Sequence, residues 1–215
     1  MTQTGFQCSL ELAGKRAYAI GMSLISLLAA LLLFGDVLAE PSYPPNAISG
    51  GTVVAALRAQ SGGATQVDIL SGEEPFASSS KTALQNWDLQ SGAGAANLVV
   101  VYFRQPGIYY LGDAGEEVRC TAADASLPCP KYIVGPAYPA QASAQGSVIL
   151  RMEIADDGGI RDIQTLKGMG VFTEASVDAV RKWRFSPAED EKGIKKASRA
   201  YAVFVYRFPV TTPKR

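Results

Sequence analysis

The feature that most constrains the fold is a sequence pattern that occurs twice. Trp87 and Trp183 lie 96 residues apart. The same spacing relates three further identical pairs, which are Gly72 and Gly168, Phe76 and Phe172, and Ala83 and Ala179. With a spacing of 95, PSYPPNAISGGTVV (41–54) aligns with PAYPAQASAQGSVI (136–149). Matches in one order over two such stretches are hard to obtain by chance, so we infer a tandem duplication.

The second copy predicts an antiparallel hairpin. In GSVILRMEIAD (146–156), apolar side chains occupy alternate positions, as expected for a half-buried strand. DDGG (156–159) predicts a turn, and IRDIQTLKG (160–168) predicts a less regular second strand.

A helix is predicted to follow this hairpin, with Thr173 as its cap. Acidic side chains in the first turns and basic side chains in the last turn complement the helix dipole; they are Glu174, Asp178, Arg181, Lys182 and Arg184. One face carries Ala175, Ala179, Val180 and Trp183, which makes Trp183 the anchor that packs the helix on the sheet. Trp87 keeps this role in the first copy, whose helix begins with the weaker helix formers ASSSKT (77–82).

The last predicted strand, RAYAVFVYRF (199–208), is apolar on both sides. We expect it to lie at a free edge of the sheet.

The N-terminus indicates export. Lys15 and Arg16 precede AYAIGMSLISLLAALLLF (17–34), an uncharged run about long enough to span a bilayer. Val37 and Ala39 fit the small-x-small pattern at which signal peptidase cleaves. Two alternatives stay open, cleavage after Ala39 or a retained signal anchor, and both export residues 40–215.

Cysteine usage agrees with export. Cys8 precedes the apolar run, whereas Cys120 and Cys129 follow it and form an even pair in an oxidising compartment. We expect a disulfide between them. Two thiols in a chain without histidine supply few metal ligands, so we expect no metal and no cofactor.

The second copy resembles the C-terminal domain of TonB-family energy transducers over residues 136–210. The resemblance is carried by the Tyr138-Pro139 opening, the Gly146-x-Val148 strand start, the Asp157-Gly158 turn and the run AVRKWRFSP (179–187). The first copy, residues 41–104, is similar only through the duplication and its own Tyr43-Pro44, Gly72 and Trp87.

This resemblance implies an α+β fold of two tandem TonB C-terminal-like units, each a small antiparallel sheet with one packed helix. The expected organisation is a signal peptide or anchor (1–39), a degenerate repeat (40–107), a linker with the disulfide loop (108–135) and a TonB C-terminal-like domain (136–215).

The resemblance also implies a function in the periplasm. In this family the domain binds an outer-membrane receptor by adding a receptor segment to a free strand edge. Carried onto this chain, the binding residues are Ala202, Val203, Phe204, Val205, Tyr206, Arg207 and Phe208, with Tyr138 and Pro139 nearby. The alternative is that these residues pair with the other repeat or with a second copy in a homodimer.

The expected partner is a receptor-like protein of the envelope or outer membrane, and the inner membrane is a partner only if residues 17–34 are retained. Departures from the family argue against energy transduction. A typical transducer has a histidine in its anchor and a long Pro-rich spacer, whereas this chain has no histidine and only Pro41 to Pro45 after the apolar run. Two functions therefore stay open. One is recognition of an envelope protein by strand pairing, in TonB-dependent transport or envelope assembly, and the other is a scaffold in which the two repeats pair with each other.

Neither catalysis nor nucleic-acid binding is expected. The chain has no histidine, and the carboxylate pair Asp156-Asp157 lies in a predicted turn. Twenty basic side chains balance twenty acidic ones, so the chain lacks the positive charge typical of nucleic-acid-binding proteins.

Overall fold

The structure is a computed structural model, and it describes residues 38–60, 65–89, 96–105, 115–120, 124–139, 142 and 144–208. Contacts divide the chain into residues 1–36 and residues 37–215, and all described residues belong to the second unit. The apolar run 17–34 and Cys8 lie outside the described residues. Within the described ranges, no helix has the length and apolar character needed to cross a bilayer.

Two helices and eleven strands make up the described part of the chain. In chain order they are β1 (Gly51–Ala59), β2 (Thr65–Ser71), α1 (Phe76–Leu84), β3 (Ala96–Phe103), β4 (Gly115–Glu117), β5 (Cys129–Val134), β6 (Gly146–Ile154), β7 (Ile160–Lys167), α2 (Val171–Val180), β8 (Arg184–Ser186), β9 (Ala188–Glu189), β10 (Lys195–Lys196) and β11 (Ser198–Tyr206). The predicted α+β class is confirmed.

Six strands form one sheet in the order β2-β1-β3-β11-β6-β7. Neighbouring strands run antiparallel except at the centre, where β3 and β11 are parallel and pair from Leu98 with Ala200 to Phe103 with Val205. The predicted small sheets are therefore joined edge to edge. The expected free edge at the last strand is wrong, because β11 has a partner strand on each side.

Composition explains why β3 and β11 occupy the centre of the sheet. Both strands are apolar on both faces, which suits a strand that is covered above and below. Leu98 to Val101 are fully buried in β3, and Ala200 to Val205 are buried in β11. At the centre of the sheet both faces of each strand are buried, one in the core that contains Trp87 and the other in the core that contains Trp183.

The two helices cover opposite faces of the sheet. Alternate residues of β1, β3 and β11 face two different cores, and α1 with Trp87 closes one core whereas α2 with Trp183 closes the other. A half-turn about a line between β3 and β11 therefore exchanges the strand order of the two halves and the positions of the two helices.

Matching contacts occur in the two halves. The indole Nε1 of Trp87 donates to the carbonyl oxygen of Ala39 at 2.7 Å, and that of Trp183 donates to Val134 at 2.9 Å. The two acceptors lie 95 residues apart, which is the spacing of the sequence repeat. These contacts support the inferred duplication, which stays a prediction.

The boundaries of α2 differ from those expected. The helix starts at Val171 after Gly170, whose φ of 51° is readily adopted only by glycine, and Thr173 is not its cap. The Thr173 hydroxyl instead accepts a hydrogen bond from the Met169 backbone N–H at 2.7 Å. The helix ends at Val180, so the basic side chains of Arg181, Lys182 and Arg184 lie beyond its last turn.

Part of the predicted linker is regular structure. β5 pairs with β4 on one side and with β8 on the other, in a three-stranded sheet. Ile133 and Val134 of β5 are buried in the core that α2 closes. The expected disulfide joins Cys120 to Cys129, with the two Cα atoms 5.9 Å apart.

The Trp183 anchor gives a first prediction. Trp183→Phe lowers the free energy of unfolding by about 2–4 kcal/mol, because the buried Val134 carbonyl loses its donor and the smaller ring leaves space. Urea denaturation measures the effect. Tyr132→Phe is the control, since this exposed ring makes the change cost less than about 0.5 kcal/mol. Equal midpoints for the two variants would contradict the anchoring role.

Candidate functional site

The predicted binding residues lie mostly inside the molecule. Ala202, Val203 and Phe204 are fully buried, and Val205 and Tyr206 are at most 3% exposed. Arg207 is half-buried, and Phe208, which is 45% exposed, lies just beyond the end of β11. The structure therefore brings Ala202 to Tyr206 together at the centre of the sheet. The other predicted residues are partly or well exposed, and they are Tyr138, Pro139, Arg207 and Phe208.

Hydrogen bonding continues along the whole of this junction. β11 pairs with β6 from Ser198 to Tyr206 and with β3 from Ala200 to Val205. The backbone N–H of Arg104, which follows β3, donates to the carbonyl oxygen of Val205 at 2.9 Å. No stretch of β11 from Ala200 to Val205 is open to a further strand.

Two arginines tie the halves together at the ends of these strands. Arg104, which is 6% exposed, follows β3, and its Nε donates to the carbonyl oxygen of Pro136 at 2.9 Å. Arg207 follows β11, and its Nη1 donates to the carbonyl oxygen of Ala47 at 3.2 Å. The Arg207 guanidinium also lies over the Tyr43 ring, 5.6 Å from its centroid. Each arginine thus binds the segment that opens the other half.

An aromatic cluster lies in each half. In the first half, Tyr43 and Phe76 contact Phe103, with ring centroids 5.7 and 4.8 Å from that of Phe103. In the second half, Tyr138 and Phe172 contact Tyr206 at 6.3 and 4.5 Å. The predicted residue Tyr138 is therefore a packing residue of its own half in this structure.

The two clusters differ in one hydroxyl group. Ser176 of α2 is fully buried, and its hydroxyl bonds to the Tyr206 hydroxyl at 2.8 Å and donates to the Phe172 carbonyl oxygen. Ser80 holds the equivalent place in α1, but its buried hydroxyl has no hydrogen-bond partner. Phe103 has no hydroxyl group, so it cannot form with Ser80 the bond that Tyr206 forms with Ser176.

Burial governs the ionisation of these tyrosines. Burial raises the pKa of Tyr43 to about 12, although the nearby charge of Arg207 opposes the shift. Burial also raises the pKa of the more deeply buried Tyr206, and the hydrogen bond between its hydroxyl and that of Ser176 opposes the shift. The clusters are therefore neutral at physiological pH and act through packing. Across the described part of the chain, no three metal-ligating side chains form a cluster.

The sheet leaves two outer strands, β2 and β7. On β7 the side chains of Arg161, Asp162, Gln164 and Thr165 are exposed, and those of Ile160, Ile163 and Leu166 are partly buried. Only β6 pairs with β7 among the described strands. The weaker apolar alternation of this segment was the available signal that it is an outer strand.

The comparison with known families decides what residues 134–208 are. They match the family described as the C-terminal region of the Gram-negative bacterial TonB protein. Residues 134–208 are a TonB C-terminal domain. The match begins in β5 and ends just after β11, so the TonB domain contains α2, the Trp183 anchor and every predicted binding residue.

Among solved structures, the solution NMR structure of the Pseudomonas aeruginosa TonB C-terminal domain is similar to this chain. It is 25% identical, covers 47% of this chain and 98% of its own, and superposes with a TM-score of 0.32. No curated protein matches. The TonB match does not include residues 41–104, whose origin as a degenerate copy stays a prediction.

The hydroxyl group that Tyr206 has and Phe103 lacks gives a second prediction. Tyr206→Phe lowers the free energy of unfolding at neutral pH by about 0.5–1.5 kcal/mol, because Ser176 loses one partner but keeps its bond to Phe172. The matched variant Phe103→Tyr raises it by a similar amount, because Ser80 gains a partner. Urea denaturation at pH 7 distinguishes the two signs.

The pH dependence follows from the raised pKa of Tyr206. Its contribution to stability is fully present below about pH 10, where an unfolded tyrosine titrates, and is lost as the pH rises further. Tyr206→Phe therefore loses less stability between pH 10 and 12 than the unaltered protein does. An identical alkaline slope in the two proteins would contradict the assignment.

Proposed function

We propose that the protein is a protein-interaction module of the cell envelope, exported to the periplasm, whose two halves close on each other to form a scaffold that works without a motor. TonB C-terminal domains are protein-interaction domains of the envelope, and this supports the general class. The closed arrangement follows from the pairing within this chain, because the first half supplies the strand that pairs with β11.

The parallel pairing of β3 with β11 is the observation that carries this proposal. The resemblance to the TonB family assigns partner binding to an open edge of this last strand. In this chain the edge is filled by residues 96–103, which lie about a hundred residues earlier. A receptor segment and β3 would compete for the same backbone groups of β11.

Displacing β3 would be costly. Its side chains at Leu98, Val99, Val100, Val101 and Phe103 are all fully buried. Returning each to water costs about 1.5–3 kcal/mol. A partner strand would also have to separate Arg104 from Pro136 and Arg207 from Ala47. These contacts favour a junction that stays closed while the protein works.

With β11 closed, a partner strand adds to β7, the outer strand of the TonB domain. β7 offers the backbone groups of Ile160–Lys167 on its outer side, with exposed polar side chains such as Arg161 and Gln164. Strand addition at β7 would extend the sheet without disturbing either core. The partner is an envelope protein that contributes an extended segment with polar side chains.

Strand displacement is the second candidate function, in which a receptor segment replaces β3 on β11. It is favoured by one observation: a strand already pairs at the edge that the TonB resemblance assigns to the partner. The two candidates differ in whether the β3–β11 junction must open.

A covalent lock on this junction tests the proposal. Val100 and Ala202 are direct partners across the junction, so Val100→Cys with Ala202→Cys places two thiols at the spacing of a disulfide. The full chain carries a photocrosslinking residue at Gln164 on β7, or at Gln66 on β2 as the matched exposed control. Val100→Cys alone is the control for the cysteine itself.

We expect Gln164, and not Gln66, to crosslink to an envelope protein in cells, with the same yield whether or not the lock has formed. A fall of ten-fold or more in the locked chain, with the single-cysteine control unaffected, would favour strand displacement. Crosslinking from Gln66 alone would place the partner on the first half and contradict the assignment to β7.

A further inference from the structure

Residues 124–129 connect the two halves of the protein. Cys129 begins β5, which pairs with β8 in the TonB domain, and the disulfide joins Cys129 to Cys120. In the first half, Nη2 of Arg58 on β1 donates to the carboxylate of Asp124 at 2.6 Å. The loop that the disulfide closes is therefore bound to both halves.

This connection lies at the amino-terminal end of the β3–β11 junction. Arg58 pairs with Ala96, the first residue of β3. Because β3 and β11 are parallel, β11 begins at the same end, with Ser198. Arg104 and Arg207 tie the halves together at the carboxyl-terminal end. Side-chain contacts between the halves therefore occur at both ends of the junction.

A backbone hydrogen bond holds the same segment against the strand pair that leads into β11. The backbone N–H of Glu189 on β9 donates to the carbonyl oxygen of Ala125 at 2.7 Å. β9 pairs with β10, and β11 begins at Ser198, just after β10 ends at Lys196. Leu127, which is 4% exposed, holds the segment in the interior. The segment thus contacts one strand of each half, β1 and β9.

The Asp124 carboxylate is ionised and oriented by its own turn. Hydrogen bonds from Ser126 and from Arg58 lower the pKa of Asp124 to about 2. Its Oδ1 accepts the backbone N–H of Ser126 at 3.0 Å. A second carboxylate, that of Asp68 on β2, lies 3.9 Å from Arg58, but it belongs to the same half. Of these two carboxylates, the closer one is the one that links the halves.

The disulfide determines how firmly this ion pair is held. The side chains of Arg58 and Asp124 are 37% and 30% exposed, and an ion pair in contact with water stabilises little unless its groups are already held in place. The disulfide closes the loop beyond the bond that the Val118 N–H donates to the Lys131 carbonyl oxygen. Such a cross-link restricts the conformations of the residues it encloses. Reduction removes this restriction and weakens the contact with Arg58.

We propose that the disulfide loop is a redox-sensitive clasp on the β3–β11 junction. In the oxidised chain it holds Asp124 against Arg58 and keeps the amino-terminal end of the junction closed. In the reduced chain this end opens more readily. The inference rests on the proposed function, because the closed junction is the state in which the scaffold works.

The co-reactant is a dithiol, such as the paired cysteines of a thiol oxidoreductase. Both Cys120 and Cys129 are partly exposed, so a thiolate reaches the bond. Its attack on one sulfur forms a mixed disulfide and releases the other cysteine as a thiolate. The second thiol of the reductant then displaces the remaining cysteine. Two electrons pass to the protein, and the reductant leaves as a disulfide.

Amide hydrogen exchange of the full chain, kept in detergent and read by mass spectrometry, tests the clasp before and after reduction with dithiothreitol. Peptides that cover 96–99 and 198–201 report on the amino-terminal end of the junction. We expect reduction to speed their exchange about three- to ten-fold, and Asp124→Asn to speed it about three-fold in the oxidised chain. Once the disulfide is reduced, Asp124→Asn has no further effect, because the ion pair is already lost.

Two control variants accompany this measurement. Asp68→Asn is matched to Asp124→Asn, since Asp68 approaches Arg58 from within the first half, and it leaves exchange at the junction unchanged in both redox states. Cys120→Ser with Cys129→Ser reproduces the reduced behaviour without dithiothreitol. If this double variant does not fold, reduction of the folded chain remains the test.

Three results would overturn the inference. Exchange that reduction leaves unchanged would mean that the disulfide does not govern the junction. An equal effect of Asp124→Asn in both redox states would mean that the ion pair persists without the disulfide. Acceleration of the same size between β6 and β7 would indicate a loss of stability throughout the fold. No partner protein takes part in the measurement, so these failures are distinct from a failed crosslink at Gln164.

Discussion

The parallel pairing of β3 with β11 is the contact on which the rest of the structure depends. It joins two three-stranded halves into one sheet, and among the described strands of that sheet it is the only parallel pair. A parallel pair cannot be made by a short turn, so its two strands come from distant parts of the chain. The β3–β11 junction therefore joins segments that lie about a hundred residues apart in the chain.

The half-turn relation between the halves explains several features that otherwise look unconnected. It places α1 and α2 on opposite faces, so each helix completes one of two cores that run through all the central strands. It also brings the ends of β3 and β11 side by side, and Arg104 and Arg207 then reach across to Pro136 and Ala47. These crossed contacts bind each half to the opening segment of the other.

Local sequence patterns predicted part of this architecture. The apolar alternation of GSVILRMEIAD identified β6, and the position of Trp183 relative to the TonB-like motif identified the helix that packs on it. The even number of cysteines after the apolar run, with the predicted export, predicted the disulfide between Cys120 and Cys129. These features depend on local spacing, which a single sequence displays directly.

The features that could not be predicted depend on contacts between distant residues. A sequence that is apolar on both faces, such as AYAVFVY (200–206), is compatible with an edge strand that binds a partner. It is equally compatible with a central strand that has a neighbour on each side. VVVYF (99–103) is likewise apolar on both faces, and this similarity was the available signal that the two strands pair at the centre of one sheet. The start of α2 was missed because the backbone of Gly170, and not the Thr173 side chain, sets the entry to the helix.

Amide hydrogen exchange along β11, measured on the full chain, tests the central claim most directly. In a central strand, successive N–H groups donate alternately to the two neighbours, so every amide from Ala200 to Val205 is protected. The closed junction predicts slow exchange at all of these positions. Fast exchange at alternate residues, with slow exchange at those between them, would mean that β11 pairs with β6 alone and would contradict the closed scaffold.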